Sequence, residues 1–290
     1  MLRLAIPVIF VLIWSTGFIV AKAVTPHADL QLFLVVRFSL TAMVMGSAAL
    51  WVRADWPRGR EWATHLLIGV LMNGIYLCAS YWAIVHGMAA GVMALLGALQ
   101  PLFTALYLAV ATRVRFSIGT WVGLLVGFAG VALVLAPKLA MPGADALTIS
   151  GTIAALSSVI AITAGTLIQK WVRPLDLRSA ACVQNAGGAL TAVIALSVAG
   201  SLHWDHSTIL WSALVWAVLI PSVVGITLLM WMIQRGDATK VTSLLLLAPP
   251  LAAVQAFLLF GETLTPIQFA GFALALAGVL LARSAPARAS

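Results

Sequence analysis

Along this chain, apolar residues fall in long blocks separated by short polar clusters. A helix that crosses roughly 30 Å of hydrocarbon at 1.5 Å per residue needs about 20 mostly apolar residues. Ten blocks meet that length, at approximately 4–22, 30–52, 62–85, 90–112, 117–136, 148–170, 178–200, 208–233, 239–260 and 265–283. The connections between them are short and hold nearly all the charge, as in Arg53-Ala-Asp-Trp-Pro-Arg-Gly-Arg60 and Lys170-Trp-Val-Arg173-Pro-Leu-Asp. The pattern predicts an all-α polytopic membrane protein of ten transmembrane helices, a single transmembrane domain over 1–290. The first block resembles a secretory signal, with Arg3 ahead of it and Ala21-Lys22-Ala23 behind. It is long for one, however, and its removal would leave an unpaired set of nine.

Composition supports the bilayer as solvent. Of the residues, 63% are hydrophobic and only 8% charged, against about 25% charged in soluble domains. The net charge of +8 would fit a nucleic-acid partner only with a basic patch interleaved with aromatics, and none is present. The basic residues instead set orientation. With the N-terminus cytoplasmic, Arg3, Arg53, Arg58, Arg60, Arg113, Arg115, Lys170, Arg173, Arg178, Arg235, Lys240, Arg283 and Arg288 all fall inside, whereas Lys22 and Lys138 fall outside. Both termini are therefore expected in the cytoplasm of a cell whose inner (plasma) membrane holds the chain. Cys78 and Cys182 lie in apolar blocks without metal-ligand spacing. No metal and no cofactor are expected.

The chain also repeats itself. At an offset of 149 residues, Gly87-Met-Ala-Ala-Gly-Val92 … Leu99-Gln-Pro-Leu102 aligns with Gly236-Asp-Ala-Thr-Lys-Val241 … Ala248-Pro-Pro-Leu251. One residue of shift then aligns Gly123 … Gly130 with Gly271 … Gly278. Two units follow, 1–141 with helices 1–5 and 142–290 with helices 6–10. Five is odd, so the second unit enters the membrane from the opposite side, giving two inverted-topology repeats of five, a transporter architecture.

Ile13-Trp-Ser-Thr-Gly-Phe-Ile-Val-Ala-Lys22, Arg37-Phe38 and Pro250 … Gly261-Glu262 … Gln268-x-x-Gly271 … Gly278-Val resemble the EamA group of the drug/metabolite transporter superfamily, most of all its aromatic amino acid exporters of the YddG type. The resemblance implies a central cavity within helices 1–4 and 6–9, with helices 5 and 10 as scaffold. It also implies that Trp14, Ser15 and Gly17 reach that cavity. One departure is visible: repeat 1 has Thr112-Arg-Val-Arg115 where repeat 2 has Gly261-Glu262.

Candidate chemistry is sparse. All eight carboxylates sit in loops or at helix ends. Cation-coupled carriers place a carboxylate within the span, so a facilitative carrier is favoured. His65 and His86, near opposite ends of the third block, are expected to be surface or interfacial. Arg37 is the one charge well inside a block, at a cost of roughly 2.5–3.5 kcal/mol on insertion scales. It is expected to tie its helix to neighbouring carbonyls or helix ends; the alternative is an anchor for a substrate carboxylate. Lys22 is expected to snorkel. Asn73, Tyr76 and Ser80 stack on one side of an ideal helix and offer either a pocket wall or helix–helix hydrogen bonds. Trp82 and Trp231 read as aromatic belt. Gln100-Pro101 and Pro249-Pro250 are repeat mates near mid-helix, read as hinges or cavity lining. Gly119, Gly123 and Gly127 read as helix packing.

The expected function is secondary transport, by rocking one repeat against the other, of a small amphipathic metabolite. An amino acid with an apolar or aromatic side chain is favoured, given Trp14, Tyr76, Tyr81, Phe103 and Tyr107. A proton-coupled exporter of drugs or organic cations is the alternative. An intramembrane enzyme would need a nucleophile–base pair or metal ligands, and a channel a filter motif; neither is found. The expected partners are the substrate and the bilayer, with a monomer as the working state.

Overall fold

The computed structural model describes residues 2–111, 117–140, 148–225, 227–228 and 247–284. They form a helical bundle that follows the hydropathy blocks. Helix α1 comes in two pieces, Leu2–Ser15 and Gly17–Val24, and α2 spans Leu30–Trp51. Helix α3 runs from Glu61–Gly69 through a π-helical segment, Val70–Ile75, into Tyr76–Val85. Helix α4 is split into Ala90–Ala98 and Gln100–Ala111, and α5 is Ile118–Ala140. Then follow α6 (Ile149–Gln169), α7 (Leu177–Ala199), α8 (Thr208–Ala217 with a π-helical segment Val218–Gly225), α9 (Ala248–Phe260) and α10 (Pro266–Ser284). Seven stretches are long and apolar enough to cross a membrane; Ala90–Thr104, Ala248–Phe260 and Pro266–Leu281 are shorter. The large apolar side chains on the outside, such as Leu125, Ile153 and Leu258, face lipid.

The ends of the helices alternate as ten spans require. The loop 25–29 pairs with 201–207 through an antiparallel bridge of Ala28 and Trp204, flanked by Asp29 N–H to His203 O and Asp205 N–H to His27 O, both 3.0 Å. At the same end, Thr148 N–H, before α6, donates to His86 O. The opposite end joins loop 52–60 to loop 170–176: Arg173 pairs with Glu61 at 3.1 Å, and Ser179 Oγ donates to Asp55 O. This second end carries Arg53, Arg58, Arg60, Lys170 and Arg173 and is called the basic end below; the first is the far end. Helix α6 therefore starts at the far end, where α1 finishes, so the second unit is inverted relative to the first.

The repeats interlock. Among the described residues, the helix pairs with the most extensive packing are α5–α10, α2–α7, α3–α6, α3–α7, α4–α9, α4–α6 and α1–α8, and each joins one repeat to the other. Rocking of one repeat as a body against the other, expected from the sequence, does not suit this arrangement.

Glycine makes the closest of these contacts. A Cβ on Gly130 would meet Gly271 O at 2.6 Å, and one on Gly271 would meet Gly130 O at 2.7 Å. A Cβ on Gly278 would sit within the backbone of Gly127 and 2.7 Å from Gly123 O. The glycines that align between the repeats are thus the ones that touch across them, so that α5 and α10 approach backbone to backbone. Gly119, one turn earlier, is exposed. Gly261 has φ +67°, a left-handed cap that only glycine adopts without strain, with its N–H on Phe257 O and the Glu262 N–H on Ala256 O.

Filling the α5–α10 contact should unfold the bundle. Gly130→Ala is expected to lower the melting temperature in detergent by several degrees, the effect of about 1–3 kcal/mol of overpacking. Gly17→Ala, whose Cβ would have nothing within 4 Å, is expected to leave it unchanged.

Candidate functional site

Among the described residues four helices are interrupted, α1, α3, α4 and α8, and their interruptions gather polar side chains of the interior. In α1 the break falls at Thr16. Ser15 Oγ donates to Leu12 O, and Thr16 Oγ1 and Thr16 N–H both donate to Ile13 O. Such back-bonding competes with the α-helical ladder and bends the helix. Across the break, Trp216 Nε1 donates to Thr16 Oγ1, tying α8 to α1. In α4 the first helical piece ends at Ala98 and the second starts at Gln100; Pro101 then falls in a first turn, where its missing N–H is harmless. Pro249 and Pro250 likewise open the described part of α9 at its first turn; residues 229–246 lie outside the described residues, Trp231 and Gly236–Val241 among them.

Helix α3 departs from its expected register. The π-helical segment holds more than 3.6 residues per turn, so Asn73 and Tyr76 do not stack as an ideal helix would place them. Asn73 sits against Gly188 of α7, where an added Cβ would meet Asn73 Cβ at 2.8 Å. Tyr76 turns toward α1 and α4. Its ring lies edge-on to Phe18 at 6.2 Å, and a Cβ on Gly97 would meet its hydroxyl at 3.2 Å. Ser80 is fully buried and donates to Tyr76 O, so its hydroxyl is spent within α3. Gly74 allows the segment to press on Thr191 of α7.

Two glutamines bridge the repeats in related ways. Gln100 of α4 donates from Nε2 to Thr166 Oγ1 of α6 at 2.7 Å. Gln255 of α9 donates from Nε2 to Ser15 Oγ of α1 at 2.9 Å, and its Oε1 is buried without a hydrogen-bond partner. Trp14, one residue before Ser15, is 39% exposed and packs on Phe10. Ser222 and Gln255 carried no signal in the sequence beyond being polar in apolar blocks.

Arg37 holds the centre of the far half. It is buried, its Nη1 donates to Tyr81 Oη at 3.1 Å, and its Nη2 donates to Ser222 Oγ at 3.4 Å. Tyr81 passes a bond on to Gly17 O at 3.2 Å, and Ser222 one to Ala217 O at 2.9 Å. The partners are hydroxyls of α3 and α8, not the carbonyls or helix ends expected. One guanidinium thereby connects α2, α3, α1 and α8. None of the ion pairs among the described residues includes it.

The far end is closed above this layer by charge. Lys22 does not simply reach for water: its Nζ lies 3.2 Å from Glu262 Oε1. The other carboxylate oxygen accepts Ala90 N–H at 3.2 Å, at the N-terminus of α4, where a negative charge is favoured. The left-handed Gly261 aims Glu262 back over the bundle to reach both. Asp29 caps α2 through Gln31 and Leu32 N–H and also accepts Ser201 N–H at 2.8 Å. His27 Nδ1 lies 2.6 Å from Asp205 Oδ2.

His65 is buried at the basic end, contrary to the expected surface role. Gln184 Nε2 approaches its Nδ1 at 3.4 Å and donates to Gln169 Oε1 at 2.8 Å, linking α3, α7 and α6. His86 is half-buried and stacks on Trp82 at 4.1 Å. Among the described residues, no cluster of His, Cys, Asp or Glu could hold a metal, and both cysteines are free. A groove of about 450 Å³ along Trp211, Val215, Trp216 and Leu219 of α8 lies on the apolar outer face.

Ten interlocked spans in inverted repeats, with interrupted helices around a polar interior, define a multi-pass membrane transporter. The chain belongs to the EamA-like transporter family, whose sequence profile matches it twice, over residues 4–136 and 149–284. It is similar to a protein of Streptantibioticus cattleyicolor named "Probable terminal-alkyne amino-acid exporter", 26% identical over 94% of this chain and 91% of that one. It is also similar to a "Probable amino-acid metabolite efflux pump" of Salmonella typhimurium, 25% identical over 93% of this chain and 91% of that one. A solved crystal structure shares the fold at a TM-score of 0.64 and 20% identity, over 96% of this chain and 95% of that one.

Two measurements follow from the site. The Ser207 amide first, then the His27 ring, hold the Asp205 carboxyl down to about 2, below the roughly 3.9 of a free aspartate. A depressed carboxyl stabilises the fold above the unfolded value, and the contribution fades as pH falls toward the folded value. The difference in melting temperature between the native chain and Asp205→Ala should be constant from pH 7 to 5 and shrink between pH 4 and 2. Tyr76→Ala should weaken apparent substrate affinity about three- to tenfold, the loss of a roughly 0.5–1.5 kcal/mol aromatic contact, while Trp82→Ala leaves it unchanged. Equal effects in a transport assay would place Tyr76 outside the path.

Proposed function

We propose that this transporter is a facilitative carrier that exports amino acids, preferentially those with aromatic or other apolar side chains, by alternating access through the interior between α1, α3, α4 and α8. It sits in the inner (plasma) membrane with both termini in the cytoplasm, as the basic residues of one end require. The observation that carries the substrate class is the charge inside the bundle. Among the described residues the interior holds one guanidinium and no carboxylate, a field that receives a carboxylate and repels an organic cation. Half-buried Tyr76, with Phe18 beside it, supplies the apolar wall that an aromatic side chain would meet. Both relatives are named for the efflux of amino acids or their metabolites, which supports the reading.

Proton coupling has no carboxylate to run on within the described spans. Because the repeats interlock, alternation regroups helices across them: α8 shifts against α2 and α3 at the far end, rather than one repeat against the other. Purified protein in liposomes tests the reading. Phenylalanine uptake should proceed without a pH gradient and be insensitive to an uncoupler. Concentrative uptake driven solely by an imposed pH gradient would overturn facilitated transport and turn attention to buried His65.

A further inference from the structure

The guanidinium of Arg37 is only partly used, and the unused part has a direction. Its Nη1 corner is satisfied by Tyr81. Its Nε, on the other side, is buried and has no hydrogen-bond partner, and its Nη2 holds Ser222 only at 3.4 Å. Nε–H and the neighbouring Nη2–H are the parallel pair of donors that a carboxylate accepts side-on. The edge suited to a carboxylate is thus the edge left open or weakly held. A buried charge bonded only to two neutral hydroxyls is also short of electrostatic compensation, which an anionic ligand would supply.

Resting on the amino acid reading above, we propose that the substrate carboxylate takes the Nε–Nη2 edge of Arg37 and displaces Ser222, so that loading the carrier detaches α8 from α2. Substrate enters between the helices from the basic end and meets Arg37 at the closed far side. The bond it replaces is the cross-repeat link between α2 and the π-helical segment of α8. Tyr81 keeps its bond to Nη1 and, through Gly17 O, its hold on α1. The π-helical segment, with Pro221 inside it, already lacks a regular ladder and is free to shift when Ser222 lets go. Substrate recognition and release of the far gate are then one event at one side chain. The carboxylate and Ser222 compete for the same donor, so each weakens the other by the same factor.

Three probes separate the charges: phenylalanine, 3-phenylpropionate, which keeps only the carboxylate, and 2-phenylethylamine, which keeps only the ammonium. Binding is measured on the purified full chain in detergent. The native chain should bind both acids about tenfold or more tightly than the amine, as expected for a charge-assisted pair. Arg37→Gln should abolish that preference while binding of the amine is unchanged. Ser222→Ala keeps the charge and removes the competitor, so it remains informative if Arg37→Gln does not fold. It should tighten both acids about threefold, the worth of one weak hydrogen bond, without affecting the amine. A wild-type acid-to-amine ratio in Ser222→Ala, or in folded Arg37→Gln, overturns the assignment of Arg37 while leaving amino acid transport standing. A native chain that binds the amine but neither acid overturns both.

Discussion

Hydrocarbon offers no hydrogen bonds, so every backbone N–H and C=O within the membrane must be satisfied by protein or by a wet cavity. That constraint locates the site in this fold. An uninterrupted helix satisfies itself, and α2, α5, α6, α7 and α10 are uninterrupted. The interruptions at Thr16, 70–75, Leu99 and 218–225 loosen ladders that must be completed from the interior, by Ser15, Thr16 and Ser222 among others. The same groups that repair the backbone are then the polar groups available to a passing substrate. The α5–α10 pair, joined by its glycines, contributes none of these and acts as a fixed spine.

Interlocked repeats change what alternation can mean. If each repeat packed mainly on itself, the boundary between them would be the natural plane of motion. Here the extensive contacts run between α2 and α7, α3 and α6, and α4 and α9, so parting the repeats would break nearly all of them at once. A smaller rearrangement breaks only polar ties at the far end, each of them short-range and replaceable by water or substrate. Lys22 with Glu262, Asp29 with Ser201, and Arg37 with Ser222 are ties of that kind.

Much of the fold was legible in the sequence because length and hydropathy alone fix a spanning helix. The inverted repeat was legible through glycine: Gly130, Gly271 and Gly278 mark a backbone contact that leaves no room for a side chain, with Gly123 contributing its carbonyl, so these positions stand out in alignment of the halves. The interior was less legible. The π-helical segment of α3 contains no proline and packs closely on α7 at Gly187 and Gly188; a rule based on 3.6 residues per turn therefore set Asn73 beside Tyr76 when they face different helices. His65 looked superficial because it lies near a segment end, and its burial depends on Gln184 from a distant helix. Lys22 looked free for the same reason: its partner Glu262 is far away in sequence.

Inverted repeats would make the two ends of a carrier equivalent if the halves were identical, and a carrier with equivalent ends would have no preferred resting side. Glu262 is one acidic position at which this chain breaks the symmetry. Glu262 follows the left-handed Gly261 and locks the far end onto Lys22 and the start of α4. The corresponding stretch of the first repeat is Thr112-Arg-Val-Arg115, which lies outside the described residues and carries only positive charge. A stretch without a carboxylate cannot form the mirror-image lock with a lysine. Among the described residues the far end thus holds an ionic closure of a construction different from that at the basic end, where Glu61 and Arg173 join α3 to the loop before α7. Among the described ties, Lys22 and Glu262 with the start of α4 hold the far end shut by charge. An end held shut by charge stays closed until the ties one layer below it, Arg37 with Ser222 among them, are undone.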